Sequence, residues 1–292
     1  MSAGACDCHV HVVGSAEQFA QVPERPYTAL PASLDSIRAV AAPVGVERFV
    51  IVQPSFYGND NSCLLETLGK LGIRGRGVAV IATGNATPAL FDDYFRSGVR
   101  GVRLNLYSTI AKAAEPEAIN DAIRNWIDRL PRPNWHIEVI APLRVLALAA
   151  RTIAASAVPI VIDHYGLPVG VAPDSNDGRI LTELAALSHV WIKLSGPYRV
   201  LLSDPMATRP PLAWLKALLT AAPERCVWGS DWPHTPPHEK QLAAGAPVPY
   251  RRLEYARVLG DFSSALPDAA TARRVLVTNP MRLYGFPPDS DE

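Results

Sequence analysis

ACDCHVHVV, residues 5–13, is the stretch whose reading decides the fold. Its polar side chains Asp7, His9 and His11 recur at every second position, with cysteine or valine between them. Side chains alternate faces along a strand, so a period of two marks an extended segment rather than a helix. The alternation predicts Asp7, His9 and His11 on one face, the lumen of a barrel. It sends Cys6 and Cys8 to the other face as small apolar fillers. The continuation, HVHVVGSAEQ, lacks the glycine-rich loop with which a doubly wound nucleotide-binding sheet would open.

Seven further β-branched runs follow: RFVIVQ (48–53), GRGVAVIA (75–82), VRGVRLNL (99–106), WHIEVIA (135–141), VPIVIDH (158–164), VWIKLS (190–195) and RCVWGSD (225–231). Helix-patterned segments fill the gaps, over 33–45, 63–72, 88–98, 115–130, 142–156, 177–188 and 211–222. Two more close the chain, at 250–262 and 267–284. Strands alternating with helices build parallel βαβ units, and eight units in roughly 250 residues predict an α/β fold of the (β/α)8 TIM barrel type. No repeat or linker divides the chain, so residues 1–292 are expected to form a single domain. The proline-rich stretch 233–250 reads as a long loop after the eighth strand.

Apolar residues make up 48% of the chain and charged residues 19%, enough for a large core. The charges balance at 28 of each sign, so no basic face for nucleic acid is implied. No cationic N-terminal segment leads into an apolar run, and no run is long enough to span a bilayer. Neither a secretory signal nor a membrane partner is expected. Four cysteines, Cys6, Cys8, Cys63 and Cys226, are too few for a disulfide framework at this length, which fits a reducing cytoplasm. A homo-oligomer is compatible with the sequence but not specified by it.

Barrels of this type carry their chemistry at the C-terminal ends of the strands. The polar residues fall in that register: His9 and His11 on the first strand, Ser55 after the second, Arg103 and Asn105 on the fourth, and His136 and Glu138 on the fifth. Asp163-His164 ends the sixth, Ser195 the seventh with Tyr198 and Arg199 beyond, and Ser230-Asp231 the eighth. Each alone has a plainer explanation. A strand-end histidine is often a structural hydrogen-bonder, Asp231 could cap a turn, and Arg103 could pair with Glu138. The coincidence of H-x-H, His164 and Asp231 on three strands of one barrel favours a site. A zinc ribbon would need a second cysteine pair, which is absent. His136 could reach the pocket or support Glu138. Asp7 is expected below the histidines, orienting one of them. Tyr107 and Tyr198 could line the site or simply pack. His189 and His238 read as surface residues.

The segments DCHVHVVG (7–14), PERPYT (23–28), QPSFYGNDN (53–61), VRGVRLN (99–105), VIDHYGLP (161–168), VWIKLSGPYR (190–199), VWGSDWPH (227–234) and NPMRLY (279–284) together resemble the amidohydrolase superfamily. Within it they are most similar to the 2-pyrone-4,6-dicarboxylate lactonase branch, over nearly the whole chain. The resemblance implies a metal-independent lactone hydrolase acting on a small lactone or carboxylate. Asp231 would be the general base, and His9, His11 and His164 would polarise the lactone carbonyl. Arg103, Arg199, Tyr27 and Ser55 would hold the substrate carboxylates, with His136 a further candidate. A guanidinium suits that role because it binds a carboxylate bidentately.

Elsewhere in the superfamily the same histidines and aspartate bind metal, and a second ion is bridged by Lys or Glu after strand four. VRLNLYS (102–108) contains neither, so no binuclear centre is expected. No cofactor is expected to be required; the alternative is one Zn2+ on His9, His11, His164 and Asp231. The chain also departs from the branch. Thr109 stands near where a second basic residue would follow Arg103, and Leu167 stands in place of the arginine of an HxGRP motif. Fewer anionic groups on the substrate are therefore expected, as in muconolactone-type, sulfonated or sugar-acid lactones. The competing functions are a zinc-dependent decarboxylase or hydro-lyase, a lactone isomerase and a non-catalytic sugar-acid binder.

Overall fold

All eight expected strands form, as β1 (Ala5–Val10), β2 (Val46–Val52), β3 (Gly75–Ala79), β4 (Val99–Asn105), β5 (His136–Ile140), β6 (Ile160–Ile162), β7 (Val190–Ser195) and β8 (Cys226–Gly229). The structure, a computed structural model, describes residues 4–25, 27–107, 115–131, 133–236 and 247–288. Each strand pairs in parallel with its successor. The chain segments at the two ends of the sheet meet through Asp231 N–H to His9 O at 2.9 Å and His11 N–H to Trp232 O at 2.8 Å, giving a (β/α)8 barrel.

Helices α1 (Leu34–Ala41), α2 (Ser62–Leu71), α3 (Pro88–Arg96), α4 (Pro116–Arg129), α5 (Leu143–Ala154), α6 (Asn176–Ala186) and α7 (Leu212–Ala221) lie between the strands. Ser33, Thr87 and Ser175 start three of them, each accepting a hydrogen bond from a first-turn N–H that would otherwise lack a partner. On α4 the apolar residues Ile119, Ile123 and Trp126 recur at helical spacing and are the buried ones. Outward strand residues such as Ile51, Val139 and Leu194 pack with the helices. Val50, Val52, Val78, Val161 and Val227 fill the lumen instead. Helix α8 (Tyr255–Ser264) and the segment from Ala269 to Tyr284 follow β8. Tyr284 and Phe286 join the lumen cluster, with the Arg76 guanidinium 4.7 Å over the Phe286 ring, so the C-terminal segment plugs the N-terminal mouth. Within the expected proline-rich loop, residues 237–246 lie outside the described ones, and Pro247–Val248 pairs in parallel with Thr28–Ala29. No helix among the described residues is long and apolar enough to cross a membrane.

The first strand departs from simple alternation. Asp7 pairs with Phe49 and Val10 with Ile51, so three steps on β1 oppose two on β2. The extra residue shifts the phase by one. Cys6 and Cys8 therefore face the lumen, in the cluster with Val50, Val52 and Val227. His9 and His11, beyond the shift, also turn inward. Asp7 points out, its Oδ2 accepting from Tyr255 Oη of α8 at 3.0 Å. The expectation that Asp7 faces the lumen and the cysteines the helices is thus reversed. Asp7 Oδ1 accepts from Ser230 N–H and His9 N–H, at 2.8 and 3.2 Å. It ties β1 to β8 through backbone and orients no imidazole.

Candidate functional site

His9, His11, His164 and Asp231 converge at the C-terminal end of the barrel, all buried. The ring centroids of His11 and His164 lie 4.9 and 4.8 Å from that of His9. Asp231 Oδ1 stands 3.6 Å from His9 Nε2 and 3.5 Å from His11 Nε2, and has no hydrogen bond. Its other oxygen, Oδ2, accepts from Tyr198 Oη and Arg199 Nε, both at 2.6 Å. Burial alone would raise this carboxyl. The Arg199 cation and the neighbouring imidazoles outweigh it and hold the group ionised, well below the usual range.

The backbone here is unusual in a way that serves placement. Asp231 has φ +61°, and His164, Tyr165, Gly166 and Leu167 form a left-handed run at +51°, +57°, +75° and +45°. Non-glycine residues in this region cost about 1–3 kcal/mol each and persist only where their surroundings hold them. Gly166 N–H to Asp163 O and Leu167 N–H to His164 O, both at 2.9 Å, hold the run.

Hydrogen bonding fixes one tautomer. His11 Nδ1 lies 2.8 Å from Val52 O, which can only accept, so Nδ1 carries the proton and Nε2 of neutral His11 is a lone pair. Neutral His11 therefore cannot donate to a carbonyl from Nε2. His164 Nδ1 meets Ser195 Oγ at 2.9 Å, leaving Nε2 unpartnered. Burial pushes His9 and His11 below the normal imidazole range and His164 down to about 4.

A cleft above this cluster is lined by His11, Tyr27, Ser55, Arg103, Asn105 and Arg199 among others. The four expected carboxylate-binding residues are thus brought together. Arg103 donates to Gln53 O at 2.7 Å. Arg199 spans Asp231 and Thr235. Tyr107 is on the cleft wall and Tyr198 donates to Asp231. His136 is not brought to the cleft. It begins β5 at the opposite end of the barrel, 5.4 Å from the Tyr284 ring, and a Cβ on Gly101 would sit 2.4 Å from its Nε2. His189 is half-buried and bonds Ile153 O. His238 and Thr109 lie outside the described residues.

Below His9 is a charged group that the sequence reading did not single out as one. Lys193 Nζ bonds Glu138 Oε2 and lies 3.2 Å from Asp163 Oδ1, all three residues fully buried. His9 Nδ1 is 3.4 Å from Asp163 Oδ1. Burial and Asp163 push Glu138 up to about 7, whereas Lys193 and His9 overcome burial to hold Asp163 ionised. A lysine inside the apolar run VWIKLS was the available signal, because a strand covered on both faces cannot leave it unpaired. His234, buried against Tyr198, was also missed as part of the site's surroundings.

The buried histidines give a pH dependence with a definite sign. His136, His164 and His234 sit at about 3, 4 and 4 in the fold, against roughly 6.5 when unfolded. The unfolded chain takes up their protons first, so stability falls as pH drops from 6.5 toward 4. Asp7 and Glu138, raised to about 6 and 7, oppose this over the same window. The histidines are more numerous, with His9 and His11 lowered too, so the melting temperature is expected to be lower at pH 5 than at pH 7 in a scanning calorimeter.

For a metal, the donor chemistry fits a single ion. His9, His11 and Asp231 offer ligand atoms within 4.8 Å of one another, and Asp231 Oδ1 and His9 Nε2 are buried without a hydrogen bond. Two imidazoles and a carboxylate are an ordinary set for zinc. His164 is absent from that group and joins His9 and Asp163 in a second one. Of the expected four, three therefore cluster as ligands.

A parallel-stranded (β/α)8 barrel with H-x-H on its first strand, histidine after its sixth and aspartate after its eighth has the site layout of the amidohydrolases. The chain belongs to that family: its sequence model, amidohydrolase (Amidohydro_2), matches residues 6–286. The chain is 32% identical to a 4-sulfomuconolactone hydrolase of Rhizobium radiobacter over 284 residues, 97% of this chain and 90% of the relative. It is 29% identical to a 2-pyrone-4,6-dicarboxylate hydrolase of Comamonas testosteroni, covering 97% of this chain and 91% of that one. A solved structure from Pseudomonas putida, assigned as a 2-pyrone-4,6-dicarboxylic acid hydrolase, superposes with a TM-score of 0.77 at 28% identity, over 99% of this chain and 100% of its own.

Proposed function

We propose that the protein hydrolyses a carboxylated lactone, with Asp231 as general base toward water. The observation that carries this reading is one carboxylate oxygen left without a hydrogen bond, Asp231 Oδ1, beneath a cleft lined by two arginines. The kinship with hydrolases of two anionic lactones supports it. A water held between Asp231 Oδ1 and the His11 Nε2 lone pair gives its proton to Oδ1 as its oxygen attacks the lactone carbonyl carbon. The carbonyl π pair moves to oxygen, where a proton on His164 Nε2 stabilises it. In that tautomer Nδ1 accepts from Ser195 Oγ–H, which lies 2.9 Å away. Collapse breaks the ring C–O bond, and the leaving oxygen takes the proton from Asp231. Arg103, Arg199, Tyr27 and Ser55 hold the carboxylate. His11 thus serves as acceptor for water, and His164 serves as the carbonyl polariser.

A pH-indicator screen of carboxylated lactones tests the reading, since ring opening releases a proton. Leu167 stands buried and apolar beside the cleft, so monoacid lactones are expected to exceed 2-pyrone-4,6-dicarboxylate in kcat/KM. A better rate on the dicarboxylate overturns that preference, and no ring opening on any lactone overturns the function.

The convergence of His9, His11 and Asp231 favours a second reading, in which one divalent ion is bound there. When bound it would supply a Lewis acid and lower the pKa of water. The Arg199 cation already balances Asp231, so activity is expected to survive exhaustive chelation. An equivalent of zinc, with turnover lost on its removal, would establish the metal-dependent reading. Carbon dioxide release would then mark a decarboxylase, and product analysis on polyol lactones would mark an isomerase.

A further inference from the structure

A second cavity adjoins the cleft. The two share Tyr107 and Arg199 as a common wall. Ile140 at the end of β5 lines the cleft, and Pro142, two residues on, lines the annex. The annex therefore leaves the reacting centre on the β5–β6 side of the barrel mouth. It encloses about 450 Å3, whereas the cleft, with Arg199 drawn against Asp231, holds about 30 Å3. One water needs on the order of 10–15 Å3, so with Arg199 in this position the cleft has room for about two or three waters, and the annex has room for a substituent.

The annex walls are apolar and come from three places. Leu143 and Ala147 belong to α5, Leu167, Val169 and Val171 to the turn after β6, and Leu202 to the loop after β7. Leu167 is fixed there by its left-handed backbone and is buried, while Val169 and Leu202 remain 42% and 52% exposed. Arg144 and Asp177, in the first turns of α5 and α6, supply the charges of the lining besides Arg199. A concave apolar surface beside a cationic reacting cleft suits a ligand that is anionic at one end and apolar at the other.

We propose that the annex is a substrate subsite: the lactone bears, beside its carboxylate, a short aliphatic or aryl arm that lies between Leu143, Leu167 and Leu202. The identity of the reacting ring rests on the lactone-hydrolase reading; the arm does not. Two measurements on the full chain separate them. Calorimetric titration with alkylsuccinates from methyl to hexyl is expected to show Kd falling about fourfold per methylene until the annex is filled. Ala147→Trp, which fills the annex, is expected to abolish that trend. Leu202→Asp, on an exposed loop position, provides a second variant should Ala147→Trp fail to fold, and is expected to blunt the trend. In parallel, kcat/KM is compared for carboxylated butenolides with and without the same arm. If the arm tightens binding but no lactone opens, the subsite stands and the hydrolase reading falls. If lactones open but the arm changes neither Kd nor kcat/KM by more than twofold, the annex is only a solvent-filled entrance and the proposal is overturned. Absence of any arm-dependent binding overturns it equally.

Discussion

Asp231→Asn is expected to lower kcat by about 10²–10⁴, the usual contribution of a positioned acid–base group. The amide preserves the side-chain shape beside His9 and His11 but cannot take a proton from water. Arg199 loses its ion pair at 2.6 Å and becomes available to a ligand carboxylate, so binding of the ring-opened product is expected to persist or tighten. Stopped-flow turnover and product titration measure the two effects separately. Turnover within fivefold of the parent chain would remove Asp231 from the role of base. The same carboxyl is held well below the usual range, so the parent rate should show no acid limb from Asp231 at pH 5 and above.

Lys193→Met is expected to cost about 3–5 kcal/mol of stability, because it leaves buried carboxyls without their cation. Lys193 lies 3.2 Å from Asp163 and bonds Glu138, and all three side chains are fully buried. Both acids would have to take up protons to remain buried. Urea denaturation at pH 8 reads the loss most clearly, since protonating them is hardest there. The double variant Lys193→Met, Glu138→Met should recover part of it, as replacing a whole buried ionic group by apolar side chains often does. A loss under 1 kcal/mol for the single variant would show that the group is not the charged network its distances describe.

The site was legible where it depended on strand ends. His164 and Asp231 follow apolar runs directly, and a barrel can only present such residues at its mouth. Arg103 and Arg199 were expected at the mouth for the same reason, and both line the cleft. His136 was misplaced because a polar residue on a barrel strand can face either end of the lumen. Its position at the start of β5 puts it on the floor, against Tyr284. The direct bonds of Tyr198 and Arg199 to Asp231 could not be read at all. They join residues from the loop after β7 to the end of β8, and sequence spacing carries no information on such a distance.

What the sequence by itself determined was the alternation of eight apolar runs with helical segments, and hence the barrel and the end of it where chemistry sits. Burial drives that result, and burial is written in periodicity. The tertiary structure alone decided the phase of the first strand. A period of two holds only while the ladder is regular, and the extra residue between Asp7 and Val10 depends on pairing with Phe49 and Ile51 of β2. That one-residue shift moved Asp7 out to Tyr255, turned Cys8 inward, and still left His9 and His11 facing Asp231.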